Sequence, residues 1–83
     1  MKYCAIFLDK NGYDGETDDA KADGLSKGNK YEVDYVAIGQ SHSRVYLEGY
    51  GGYNTVMFDF VDEDGNEADI FKNPSWNPYL GGL

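Results

Sequence analysis

The stretch GLSKGNKYEVDYVAIG, Gly24 to Gly39, decides the fold of this chain. Within it, Lys30 to Ile38 alternates. Tyr31, Val33, Tyr35 and Ala37 fall on one side, and Lys30, Glu32 and Asp34 on the other, which turns apolar at Val36 and Ile38. A period of two marks a half-buried strand. Gly28 and Asn29 supply the turn that leads into it. The stretch and its continuation also gather three of the seven basic residues, Lys27, Lys30 and Arg44, between acidic flanks. Exposed ion pairs are weak, so these bases read as local charge balance on a solvated face rather than as a binding patch.

Working outward, KYCAIFL (Lys2 to Leu8) is an apolar run that reads as a strand buried on both faces. Asp9 to Asp23 follows, with six acids, two lysines and glycines at 12 and 15, and reads as a long solvated loop. One helical turn capped by Thr17 fits inside it, with acids near its N-terminus. After the central strand, GQSHS (Gly39 to Ser43) reads as a turn, and RVYLEG (from Arg44) as a third strand with Val45 and Leu47 opposite Arg44, Tyr46 and Glu48. NTVMFDFV (Asn54 to Val61) reads as the strongest strand, with Val56, Phe58 and Phe60 on one face. Asp64-Gly65 signals a hairpin, and EADIF (Glu67 to Phe71) is the returning strand. Two Asn-Pro pairs keep the tail from Asn73 onward out of a helix. Five short strands joined by turns predict an all-β antiparallel sheet, closed or half-closed into a small barrel that hides its edges.

Leu25, Gly28, Tyr31 and Val33 form a Leu-x-x-Gly-x-x-Tyr-x-Val segment, behind a strand carrying Cys4 and an Asp-Lys-Asn-Gly turn at 9–12. On these residues the first half of the chain resembles small uncharacterised bacterial and phage proteins, in which such a segment opens the second strand of an SH3-like barrel. The longer acidic hairpin around Asp64 departs from that pattern. The resemblance implies a five-stranded SH3-like barrel over residues 1–72 of a single domain 1–83, with a long acidic first loop. It transfers no catalytic residue. Trp76, Tyr79 and Leu80 are expected to fold the tail, 73–83, back onto the barrel, because a small domain needs buried area.

The chain has 83 residues and an aromatic fraction of 16%, and large rings give a small core much area per residue. One cysteine allows no internal disulfide, and no apolar stretch is long enough to span a membrane. With no basic segment and apolar run at its start, the expected setting is cytoplasmic. A net charge of −8 opposes contact with nucleic-acid backbone or an anionic membrane.

Little catalytic hardware is legible. A calcium loop begun at Asp9 has Tyr13 and Asp14 at its fifth and sixth positions. One begun at Asp62 has Asn66 and then Glu67, and both lack the turn glycine. One Cys and one His are too few for zinc. Cys4 sits in an apolar strand, and Ser41 and Ser43 beside His42 lack a nucleophile elbow. The expectation is therefore no enzyme, no cofactor and no metal.

Two readings of function remain. The first is a protein-interaction module that binds an unidentified protein through an aromatic surface of Tyr13, Tyr46, Tyr50, Tyr53 and Trp76. The second is an acidic inhibitor of the immunity or phage anti-host type. It would cover the basic nucleic-acid-binding site of another protein, and two acid clusters support it: Asp9 to Asp23, and Asp59, Asp62, Glu63, Asp64, Glu67 and Asp69, the second a run containing no base.

Overall fold

The computed structural model describes residues 3–12, 15–39 and 43–72. Expectations for Tyr13, His42, Trp76 and the tail 73–83 lie outside these residues. Among the described residues five strands form one antiparallel sheet: β1 (Tyr3–Phe7), β2 (Lys30–Ile38), β3 (Ser43–Leu47), β4 (Gly52–Asn54) and β5 (Phe58–Asp62), in the order β4-β3-β2-β1-β5. The sheet is open, which corrects the expected closed barrel. β4 and β5 are its two edges, yet they are neighbours in the chain. A 3-10 turn, Thr55–Met57, capped by the Asn54 side chain at the Val56 N–H (3.2 Å), diverts the backbone between them. Rings, not a ladder, meet across the gap, with Tyr53 and Phe58 6.1 Å apart.

The hinge of the fold lies in β2. Its first half pairs with β1, matching Ala5 to Tyr31, and its second half pairs with β3. Between the halves Val33 faces Leu47 and Tyr35 faces Tyr46, so Asp34 is one extra residue. Such a bulge reverses which side chains point inward. Tyr31 and Val33 therefore pack on the core before it, and Val36 is buried after it. Tyr35, expected to lie inward with Tyr31 and Val33, is instead 47% exposed.

The Leu25–Val33 motif is structural residue by residue. Leu25 is buried, and its N–H donates to the Ala20 carbonyl. Gly28 holds φ at +82°, a left-handed value that suits glycine, and its N–H donates to the Phe7 carbonyl at 2.8 Å. The Ser26 N–H donates to the Tyr31 hydroxyl at 2.7 Å. The motif thus pins the start of β2 to the end of β1.

The acidic loop contains more order than its composition predicts. α1 (Glu16–Ala22) runs through it, with Gly15, not Thr17, at the N-cap position. Ala20 is fully buried, and the Thr17 hydroxyl donates to the Met57 sulfur at 3.7 Å. Three acids in the first turn and Lys21 in the last complement the helix dipole. Lys21 also pairs with Asp9 at 3.4 Å, an exposed contact of small energetic weight.

Three further expectations are corrected. NTVMFDFV is not one strand, because the 3-10 turn shifts its phase: Val56 is 41% exposed and Met57 fully buried. EADIF is not a strand either. Glu67 makes one isolated bridge to Val61, and Ile70–Lys72 form a second 3-10 turn, since burial of Ile70 pulls the chain off the sheet edge. β1 is buried mainly on one face, at Ala5 and Phe7, while Cys4 on the other is only half-buried. Met57→Ala should accordingly cost about 2–5 kcal/mol in urea denaturation. Val56→Ala should stay within about 0.5 kcal/mol; equal losses would mean the strand phase runs straight through.

Candidate interaction surfaces

The tyrosines do not form one surface. Tyr35 and Tyr46 are cross-strand partners on the side of β2–β3 away from Val36 and Val45. Their rings stack 4.8 Å apart and 4° from parallel. Gly52 is the β4 partner of Tyr46, and a Cβ there would stand 2.5 Å from Tyr46 Cε1. That glycine therefore gives the ring its place over β4. Arg44, on the same face, donates from its guanidinium to the Gly52 carbonyl at 2.7 Å.

Tyr31 and Tyr50 make a second pair, edge-to-face at 5.3 Å, on the core-facing side that Tyr31 shares with Ala5. Tyr50 is 42% exposed. Tyr53, expected on the surface, is buried. Its hydroxyl donates to Asp23 Oδ2 at 2.9 Å, tying the acidic first loop to β4. Burial, then the bond to Asp23, raises its pKa above the ordinary 10.0. A cleft of about 210 Å³ lies beside this bond, lined in part by Glu16, Asp19, Asp23 and Arg44. Tyr35 is absent from the aromatic surface expected from the sequence because the bulge that turns it outward has no residue signature. The nearness of Arg44 to the acidic helix is tertiary and leaves no local pattern.

The acids near the C-terminal hairpin divide by role. Asp62 builds the turn: its Oδ1 accepts the Asp64 and Asn66 N–H groups at 2.9 and 3.0 Å, and Gly65 supplies φ +84°. Glu63 and Asp64 stand at the exposed tip. Asp59, Glu67 and Asp69 instead line a groove of about 390 Å³ with Phe60, Ile70 and Phe71. Asp69 also accepts the Phe71 N–H at 3.0 Å. Among the described residues no three metal-ligating side chains converge on a point.

Two measurements check this geometry. Because the folded-state pKa of Tyr53 is raised, its contribution is complete below pH 10 and is lost as pH rises through the raised value. Tyr53→Phe should cost about 1 kcal/mol at neutral pH and flatten the alkaline limb of a stability–pH curve; an unchanged limb would contradict the assignment. Gly52→Ala should cost about 1–3 kcal/mol and weaken the near-ultraviolet dichroism of the stacked tyrosines. In a Tyr46→Ala background the same substitution should cost almost nothing, and a loss as large as in the parent would rule out ring contact as the cause.

Among the described residues no helix is long and apolar enough to cross a membrane. No curated protein and no solved structure matches the chain significantly. A family model does match, over residues 1–81, and agrees with the phage part of the kinship read from Leu25 to Val33. The chain therefore belongs to the family described as bacteriophage T4 protein Y07B.

Proposed function

We propose that this phage-family protein is a non-enzymatic interaction module that meets a protein partner at the Tyr35–Tyr46 stack. The observation that carries the reading is the stack itself: two parallel rings on the solvent side of the sheet, one of them 47% exposed. Gly52 and the cross-strand pairing set the rings before any partner arrives. Preset aromatic area binds with little loss of side-chain freedom. We further infer an open SH3-like kinship, supported by the bent β2 shared between two partners and by the 3-10 turn before the last strand.

A second reading, the acidic inhibitor of a basic nucleic-acid-handling protein, draws support from the groove that gathers Asp59, Glu67 and Asp69. Salt separates the two. Attraction between exposed charges fades beyond a screening length of about 8 Å at physiological ionic strength, whereas aromatic burial does not. Capture of partners from the native host should survive high salt and be lost in Tyr35→Ala/Tyr46→Ala. Retention of the same partner by that variant, with loss in salt, would replace the first reading with the second.

A further inference from the structure

We propose that the groove along the outer edge of β5 receives an extended segment of a partner protein that carries arginine or lysine beside an apolar residue. The proposal rests on the acidic reading above and gives it a location. The groove has a structural origin. After the hairpin the returning chain bonds β5 only as far as the Ala68 N–H to the Phe60 carbonyl, at 2.9 Å. It then leaves the edge as the 3-10 turn Ile70–Lys72, capped by Asp69. The opening left between β5 and this segment has about 390 Å³, in the range of ordinary ligand pockets.

Its lining is amphipathic. Phe60 and Ile70 come from the packed side, Ala68 is half-buried between Glu67 and Asp69, and Phe71, 42% exposed, stands at the rim. Asp59 stands on the β5 wall, with Glu67 and Asp69 on the other. An apolar side chain fits the floor while a guanidinium or ammonium meets carboxylates on the walls, where charge-assisted hydrogen bonds are the strong ones. The sign excludes nucleic-acid phosphate. The chain's own residues 73–83 contain no charged side chain, so they offer nothing to the carboxylates. Charge complementarity therefore selects a basic partner segment.

The test titrates the full-length protein against three labelled peptides of equal length. One alternates arginine and leucine, one is oligolysine, and one alternates glutamate and leucine. At low salt the arginine–leucine peptide should bind about tenfold tighter than oligolysine, a 1.4 kcal/mol difference, and the glutamate peptide should not bind. Asp59→Asn/Glu67→Gln should weaken the first peptide about tenfold, again 1.4 kcal/mol. Asp18→Asn/Asp19→Asn, which removes equal charge from α1, should leave it within about twofold, under 0.5 kcal/mol. Phe71→Ser should lower the preference for arginine–leucine over oligolysine; if that variant unfolds, the two charge variants decide alone. Equal weakening by both charge pairs, or none from the groove pair, overturns the groove while leaving the acidic reading standing. Failure of both basic peptides to bind overturns the two together.

Discussion

One extra residue in β2 sets the terms for the rest of the molecule. A strand of nine residues that kept its phase would send Tyr31, Val33, Tyr35 and Ala37 to a single face. The bulge at Asp34 breaks that phase, so β2 serves β1 with its first half and β3 with its second. The same residue puts Val36 into the core and turns Tyr35 out beside Tyr46. Core and outer surface thus share one cause, the exact period of two in a β-ladder.

Small size explains how the open edges are managed. A chain of 83 residues has little area to bury, and it spends few residues on backbone pairing at β4 and at the return from the hairpin. Side chains do that work instead. Met57 is fully buried beneath α1, Phe58 touches the rings of Phe7, Tyr53 and Phe60, and Ile70 is drawn into the core. The 3-10 turns on either side of β5 follow from this preference for burial over ladder. One of them parts the chain from the sheet edge and so creates the acidic groove.

The two surfaces obey different physics. The tyrosine stack is held by cross-strand pairing and a glycine partner, and presents apolar area that salt does not weaken. The groove presents carboxylates over aromatic and aliphatic groups, and exposed carboxylates act on their surroundings through a field that salt screens. Acidity that composition presents as uniform is divided by the fold. Asp62 is committed to a turn, Asp23 to Tyr53, and Asp59 to the groove wall.

Period-two runs and glycine turns are local signals, and they made an antiparallel, mostly β chain legible, with β1, β2 and β3 in place. The same pattern put Val45 and Leu47 on one side of β3, both buried, and grouped Val56 with Phe58 and Phe60, of which only the two rings are buried; Leu25, Gly28, Tyr31 and Val33 were legible as the way into β2. The tertiary structure alone decided the rest. Whether NTVMFDFV runs straight or breaks at Thr55 depends on which side chain the core accepts, and it took Met57 in place of Val56. Whether EADIF pairs with β5 depends on the pull of a distant core on Ile70. Tyr53 reads as one more surface tyrosine until α1 brings Asp23 to its hydroxyl. Each of these outcomes turns on contacts between residues far apart in the chain, and the local pattern carries no record of which partner will be there.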